Sequence, residues 1–262
     1  MAVGQAAPKC EELVHKALET YGCLESLRNF PLQIQQQAGA QLANDSSITE
    51  DEKAQVMDAV MKSIDVGRLI RNVESEMVQK CNADEYREVI ATLNTPATQK
   101  MIHLEATPDS PESMEKMEKL LSSGELQKAP AKRAEAVRRL MEATGAANAT
   151  VETVVQTSRA MMEGLGAPPA SDEKIRELRE QVEGTMSENL YLMMLAVYND
   201  ASDEDLENYV AMVETKPFRA FNSSFTSAMV NGVALESRHA GEALKSLAQK
   251  KRAQHAAEDG KH

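Results

Sequence analysis

Histidine and carboxylate side chains at helical spacing are the residues of this sequence best suited to binding a metal ion. Glu236 and His239 are three residues apart, which is the spacing that di-iron helical bundles use for two of their ligands. Those sites need a second such pair and two further inward-facing glutamates, and the sequence has no second pair. We therefore expect Glu236 and His239 to lie on a polar face of the last helix. His15 and Glu19, four residues apart, are expected to pair on a helix surface.

Motifs for nucleophilic, nucleotide-binding and zinc-protease chemistry are absent from the sequence. It contains no G-x-S-x-G, P-loop, G-x-G-x-x-G or H-E-x-x-H pattern. Carboxylate clusters such as Asp51-Glu52 and Asp203-Glu204-Asp205 begin predicted helices, where they stabilise the helix dipole. We therefore predict a protein that is not an enzyme, with no catalytic, cofactor-binding or metal-binding residues and no cofactor.

Three cysteines, Cys10, Cys23 and Cys81, lie in the first half of the chain without the spacing of a metal site. If residues 10–23 form one straight helix, Cys10 and Cys23 are roughly 20 Å apart, whereas a disulfide needs Cα atoms within about 7 Å. An up-down-up arrangement of the first three helices returns the end of the third toward the end of the first, which favours Cys23–Cys81 over Cys10–Cys81. Three reduced, buried cysteines are the alternative, and they fit a cytoplasmic protein better.

Helix boundary signals run along the whole chain and predict an all-α protein of antiparallel helices joined by short loops. Thr49 and Glu52 form a capping box that opens a long helix, whose apolar positions continue to Met77. Pro96 ends one helix and begins the next, and the last helix is long and amphipathic. With aromatic residues at 3% and 15 methionines, the core is expected to consist of Ala, Leu, Val and Met.

Two related halves with the same order of elements are the main organisational feature of the chain. Gly22 and Gly145 end corresponding first helices, and Pro96 and Pro217 begin corresponding last helices, at nearly constant sequence separation. A diverged duplication explains this order better than chance, so we predict two related helical-bundle repeats. The predicted segments are 9–105 for the first repeat, 106–130 for a connector with a short helix, 131–254 for the second repeat and 255–262 for a flexible tail.

The second half contains stretches that resemble a known bacterial family. Lys132–Gly145, Leu190–Tyr198, Ser202–Leu206 and Glu214–Pro217 together resemble DUF2059, a domain of unknown function. In that family a Tyr is followed by a capped acidic turn, an apolar helix and a break at Pro. This chain departs from the pattern after the break, where Phe218 and the next residues replace the usual small residue and Lys.

The resemblance covers residues 131–248 and extends more faintly over 10–105. Within the first half, Asn82–Pro96 repeats the same break, which is typical of a tandem copy. The resemblance implies an exported, periplasmic helical protein. It implies no catalytic residues, because none are established for the family.

Charge and hydropathy limit the kinds of partner that we expect. A net charge of −12 argues against nucleic acid, because such binding depends on Lys and Arg at phosphates. The most apolar run, Leu190–Tyr198, is far shorter than the roughly 20 residues of a membrane-spanning helix, so we expect no membrane span. The residues before Cys10 lack the features of a signal peptide. We expect a periplasmic protein whose signal peptide has been removed, or a cytoplasmic one if the full reading frame has none.

Non-enzymatic binding is the function that these features predict. Paired helical repeats leave room for an apolar groove that accepts an unknown protein or an apolar ligand. A filled core in place of the groove, and a purely structural envelope protein, are interpretations that the sequence leaves open. The alternative function is an enzyme or metal-binding protein with a site formed between the two repeats, using Glu236, His239 or other acids.

Overall fold

The protein folds into α-helices, as a computed structural model of the chain shows. The structure describes residues 9–106 and 111–259, and within them there are twelve α-helices, one short 3₁₀ helix and no strand. The all-α prediction is therefore confirmed. The helices are α1 (Cys10–Thr20), α2 (Cys23–Ala43), α3 (Glu50–Ser63), α4 (Val66–Gln79), α5 (Ala83–Leu93), α6 (Pro96–Ala106), α7 (Pro111–Ser123), α8 (Ala131–Thr144), α9 (Ala146–Leu165), α10 (Asp172–Val197), α11 (Asp203–Val213) and α12 (Lys216–Asp259). No helix in these ranges is long and apolar enough to cross a membrane.

Side-chain caps begin helices, and glycines end them, at positions that the sequence predicts. The capping box of Thr49 and Glu52 opens α3, with both reciprocal hydrogen bonds present. The Ser202 side chain accepts a hydrogen bond from the Asp205 backbone at the start of α11. Gly22 and Gly145 follow the ends of α1 and α8 with positive φ angles of 83° and 64°, a conformation that favours glycine.

The predicted long helix after Thr49 is wrong, because it is divided into α3 and α4. Asp65 lies between them, and its carboxylate accepts a hydrogen bond at 2.9 Å from the backbone N–H of Arg68, in the first turn of α4. The backbone N–H of Asp65 itself donates to the Glu236 carboxylate at 2.9 Å. A second helix start is therefore stabilised inside a segment whose apolar periodicity continues without interruption.

The described residues divide into two compact units, each assembled from three separated stretches of chain. Unit 1 comprises the described residues within Met1–Leu24, Glu74–Val151 and Glu180–Ala228, and unit 2 those within Glu25–Val73, Glu152–Arg179 and Met229–His262. The stretches end inside α2, α4, α9, α10 and α12. Each unit thus takes residues from both predicted repeats, and the duplication itself stays a prediction.

The two segments predicted outside the repeats are largely helical. Within the predicted connector 106–130, the short helix is α7, although residues 107–110 lie outside the described residues. The predicted tail begins inside α12, which continues to Asp259, and residues 260–262 also lie outside the described part.

Unit 1 contains two closely packed helix pairs, α1 with α5 and α8 with α11. Cys10 and Cys81 bring together the starts of the first pair. The Gln99 amide donates to the Thr20 and Leu93 carbonyls at the ends of that pair. The first pair is therefore parallel. The predicted antiparallel arrangement concerns helices joined by short loops, and it stays a prediction.

The second pair, α8 with α11, is also parallel. Arg133 near the start of α8 binds Asp203 at the start of α11. Arg139, further along α8, pairs with Glu207 and with Glu214, the residue that follows α11. These ion pairs join the start of α8 to the start of α11 and a later turn of α8 to the end of α11. The α8–α11 pair is therefore parallel.

An aromatic cluster forms part of the unit 1 core. Tyr21, Tyr86, Phe218 and Phe221 contact one another edge to face, with ring centroids 5.4 to 6.0 Å apart. Phe218 and Phe221 are each 1% exposed. Although aromatic residues are rare in this chain, they are concentrated here, which the predicted Ala, Leu, Val and Met core did not anticipate.

In unit 2, α9 and α12 approach each other so closely that only glycine fits at the crossing. A Cβ on Gly164 would overlap the Arg238 carbonyl oxygen, and one on Gly241 would overlap the Met161 carbonyl oxygen. On the same helix α12, Gly232 packs against the Leu69 side chain of α4. These small residues determine how tightly the helices of unit 2 pack.

Candidate functional site

Glu236 and His239 have different partners in the structure. Glu236 is 1% exposed, and it accepts hydrogen bonds from the Arg68 guanidinium at 2.7 and 2.8 Å and from the Asp65 backbone. This bidentate pairing raises the pKa of Arg68. His239 instead lies 3.2 Å from Glu242 on the same helix. The expectation that Glu236 lies on a polar helix face is therefore wrong, because the start of α4 and Arg68 supply partners for a buried carboxylate.

Among the described residues, no three His, Cys, Asp or Glu side chains are placed to hold a metal ion together. His15 also differs from the expectation. Its Nδ1 lies 2.7 Å from the Glu74 carboxylate of α4, while Glu19 binds Lys16 at 2.9 Å. His15 therefore pairs with Glu74 of a distant segment and not with Glu19 as predicted.

Cys10 and Cys81 form a disulfide, with their Cα atoms 6.0 Å apart. The predicted Cys23–Cys81 disulfide is therefore wrong. Two features explain the difference: α1 and α5 are parallel, and the segment before Cys81 is divided into two helices. Together they place Cys81 beside the start of α1 rather than beside its end.

Cys23 is a buried free thiol near the start of α2. Burial, together with the negative charge of Glu105, raises the pKa of this thiol well above its ordinary value. A thiol held in its protonated form is a poor nucleophile and a poor metal ligand. Cys23 thus behaves as a small apolar core residue.

Glu105 of α6 is the centre of a polar cluster that the sequence did not indicate. Its Oε1 accepts hydrogen bonds from the hydroxyls of Tyr198 and Tyr209, the latter at 2.8 Å. The Tyr209 hydroxyl also lies 3.4 Å from that of Tyr21. Four residues from four helices or their ends therefore share one hydrogen-bonded group inside unit 1.

Burial raises the pKa of Glu105, and the two tyrosine hydroxyls partly offset that rise. Burial also raises the pKa of Tyr198 and Tyr209 well above the ordinary value, so both remain hydrogen-bond donors. No motif relates these residues to one another, and Tyr21 and Tyr209 are separated by 188 positions in sequence. The tertiary structure alone brings them together.

A cavity in unit 2 lies between the end of α9 and the start of α10, and we name it the α9–α10 cavity. A Schellman motif positions its wall: the Gly166 N–H donates to the Glu163 carbonyl at 2.9 Å, and the Ala167 N–H donates to the Met162 carbonyl at 3.0 Å. Gly166 adopts a φ of 75°, and two prolines follow it. Of the two glycines near this helix end, Gly164 lies inside α9 and Gly166 is the residue that follows the helix.

The α9–α10 cavity has a volume of about 360 Å³ and a mainly apolar lining. Its lining residues are Ser158, Arg159, Met162, Glu163, Ala167, Pro169, Ala170, Lys174, Ile175 and Leu178. Met162 is 46% exposed although it is apolar, so its surface is uncovered. This volume lies in the range of roughly 300–1,000 Å³ that small-molecule sites occupy.

The charged residues of this lining differ in their pairing. Glu163 binds the Arg238 guanidinium at 2.7 Å. Within the described ranges, neither the Arg159 guanidinium nor the Lys174 ammonium has a carboxylate partner. The free charges of the cavity are therefore positive in a chain whose net charge is −12.

The α9–α10 cavity is a different feature from the predicted groove, which stays a prediction. Both are apolar, but the groove was expected between the two repeats, whereas the lining of the cavity lies within residues 158–178 of the second repeat alone. Gly166 and the two prolines after it were the available sequence signals, and they indicate a loop without indicating that its inner side is open.

The chain matches no protein-family model, and neither a curated protein nor a solved structure is significantly similar to it. The resemblance to DUF2059 therefore stays a prediction. The geometry of the described residues is what bears on function.

Proposed function

We propose that this protein is a non-enzymatic binding protein of an oxidising compartment such as the periplasm, and that it binds an amphiphile with an anionic head group. The observation that carries the proposal is the α9–α10 cavity, whose lining combines apolar side chains with two cations. Apolar walls take up a hydrocarbon chain, because removing apolar surface from water is favourable. The cations select the charge of the head group.

The pairing of charges at the cavity favours an anionic head group. Glu163 is neutralised by Arg238, so it does not repel an anion strongly. Arg159 and Lys174 line the cavity without a carboxylate partner among the described residues, so their positive charges attract an anion. A carboxylate at the edge of the cavity would gain charge-assisted hydrogen bonds, which are stronger than neutral ones. A fatty acid of medium chain length combines that head group with an apolar tail.

Titration calorimetry with decanoate and with decanol tests this proposal. Both share the tail, so both should bind, with decanoate the tighter. Lys174→Gln should weaken decanoate about two- to fivefold, as for an exposed ion pair, and should leave decanol unchanged. Ile175→Asp should weaken both ligands at least about tenfold, because it places a charge against the tail.

Arg176→Gln is the matched control on the same helix. Arg176 is 66% exposed, lies 4.0 Å from Glu173 and does not line the cavity, so its replacement should change neither affinity. The proposal is wrong if decanoate gives no saturable heat, or if Ile175→Asp binds it as tightly as the unchanged protein does.

The Cys10–Cys81 disulfide supports an oxidising compartment. It spans a sequence separation of 71 residues and is expected to stabilise the fold by about 2–4 kcal/mol. In protein isolated from its own cells and denatured without reductant, alkylation should label one thiol, Cys23. Reduction before alkylation should expose two more. Three labelled thiols without reduction would contradict the proposed compartment.

A further inference from the structure

Met162 is the sulfur-containing residue in the lining of the α9–α10 cavity. It lies in the last turn of α9 and is 46% exposed. The other large apolar residues of the lining, Ile175 and Leu178 on α10, are less exposed. Met162 is therefore the large apolar side chain of the cavity wall that solvent reaches most readily.

Exposure separates three methionines from the others whose side chains the structure describes. Met162, Met186 and Met193 are 46%, 38% and 45% exposed, whereas Met77 and Met101 are 0% and 1% exposed. Oxidants in solution attack exposed thioethers first, so these three are expected to react before the buried ones. Met186 and Met193 lie on α10 outside the cavity lining. Of the three, oxidation of Met162 alone would alter the cavity wall.

We propose that Met162 is an oxidation-sensitive modification site that controls binding at the α9–α10 cavity, with a peroxide as the oxidant. This rests on the proposed function, because the apolar wall must hold the tail of an amphiphile for its oxidation to matter. The Cys10–Cys81 disulfide supports an oxidising compartment, in which an exposed thioether is open to such an oxidant.

The reaction transfers one oxygen atom to the Met162 sulfur. The sulfur lone pair attacks one oxygen of hydrogen peroxide, and the S–O bond forms as the O–O bond breaks. The departing hydroxide takes up the proton released from the transferred oxygen, which gives water. Sulfur is oxidised by two electrons and the peroxide is reduced by two. The product is a neutral, polar sulfoxide, which sulfoxide reductases convert back to the thioether.

A sulfoxide on Met162 would place a strong hydrogen-bond acceptor against the hydrocarbon tail of the ligand. Burying such a group against apolar atoms is unfavourable unless it is hydrogen-bonded, so the tail should bind less tightly. The sulfoxide has no net charge and leaves the cations Arg159 and Lys174 unchanged. Oxidation should therefore weaken a charged and an uncharged ligand by the same factor, whereas Lys174→Gln should weaken the charged one alone.

Peroxide treatment followed by titration calorimetry with decanoate and decanol tests the proposal. Peptide mass spectrometry should find Met162 oxidised before Met77 and Met101, and saturating decanoate should slow the oxidation of Met162, because linked effects are reciprocal. The oxidised protein should bind both ligands about three- to tenfold more weakly. Met162→Gln, whose amide is polar and uncharged like the sulfoxide, should weaken both ligands to a similar extent without any oxidant.

Met162→Leu and Met193→Leu are the matched variants. The two methionines are almost equally exposed, at 46% and 45%, and leucine has a similar volume without a thioether. Met162→Leu should bind both ligands as the unchanged protein does and should keep that affinity after peroxide treatment. Met193→Leu should lose affinity after peroxide treatment as much as the unchanged protein does.

The affinity of the untreated protein distinguishes the two ways in which Met162 could fail as a control site. If the untreated protein binds neither decanoate nor decanol, the proposed function is wrong and Met162 has no binding to control. If it binds them, the role of Met162 alone is wrong under any of three results: Met162 stays unoxidised while Met193 reacts, full oxidation of Met162 leaves both affinities unchanged, or Met162→Leu loses as much affinity after peroxide as the unchanged protein.

Discussion

Gly164 and Gly241 show how strongly a single residue controls packing in unit 2. A Cβ on Gly164 would overlap the Arg238 carbonyl oxygen and approach the Glu242 backbone nitrogen to 2.9 Å. These are backbone atoms of a packed helix, so they cannot rotate away as a side chain does. Both glycines lie inside helices, α9 and α12, where the usual effect of glycine is a loss of stability. The sequence gives no sign of their close approach.

Gly164→Ala is expected to destabilise the protein by about 3 kcal/mol or more, since α9 and α12 must separate to admit the methyl group. Gly184 provides a matched comparison, because it also lies within a helix but has nothing within 4 Å of its would-be Cβ. Gly184→Ala should stabilise the protein by about 0.5–1 kcal/mol. Chemical denaturation of the three proteins measures both changes, and a neutral Gly164→Ala would show that the helices are not in backbone contact.

Glu105 links α6 to α10 and α11, so its ionisation affects the packing of elements. Its pKa in the folded protein is raised above the ordinary value of 4.5, mainly by burial. A group with a raised folded pKa contributes its full stability below its ordinary pKa and loses that contribution as pH rises through the folded value. The folded state therefore favours the protonated acid.

Comparison with Glu105→Gln isolates this effect, because the amide keeps the shape and does not titrate. The free energy of unfolding of the unchanged protein, minus that of the variant, should fall as pH rises from below about 4.5 toward neutrality. Urea denaturation at a series of pH values measures the difference. If the difference instead rises with pH, the tyrosine hydroxyls stabilise the carboxylate more than burial destabilises it, and the pKa of Glu105 is lowered rather than raised.

At the scale of the whole molecule, each compact unit depends on both halves of the sequence. The aromatic cluster of unit 1 combines Tyr21 and Tyr86 from the first half with Phe218 and Phe221 from the second. Cutting the chain after Gly124, within the predicted connector, would separate these partners. We therefore expect fragments 1–124 and 125–262 not to fold alone.

Circular dichroism and amide NMR spectra of the separate fragments check this expectation. Each alone should lack a cooperative thermal transition, and mixing or co-expression should restore the native spectrum. Two well-folded fragments would instead favour the predicted repeats as independent domains.

Much of the fold is predictable because its signals are local. The caps at Thr49 and Ser202 and the glycines after α1 and α8 act within one helical turn, so the residues that form them are neighbours in sequence. The absence of known catalytic motifs is also evident from the sequence alone. The candidate site was less predictable, because the α9–α10 cavity is a space between elements, and no local pattern of residues indicates such a space.

The sequence by itself determined the helical class, the positions of most helix ends and the acidic, aromatic-poor composition. Only the tertiary structure decided the partners of Glu236, the cysteine pairing and the environment of Glu105. The physical reason is the range of the interactions. Caps and dipoles act over a few residues, whereas the Arg68–Glu236 pair spans 168 positions and depends on which helix surfaces meet. The sense of a helix pair, parallel or antiparallel, decides which distant side chains become neighbours, and in this protein it joined Cys81 to Cys10.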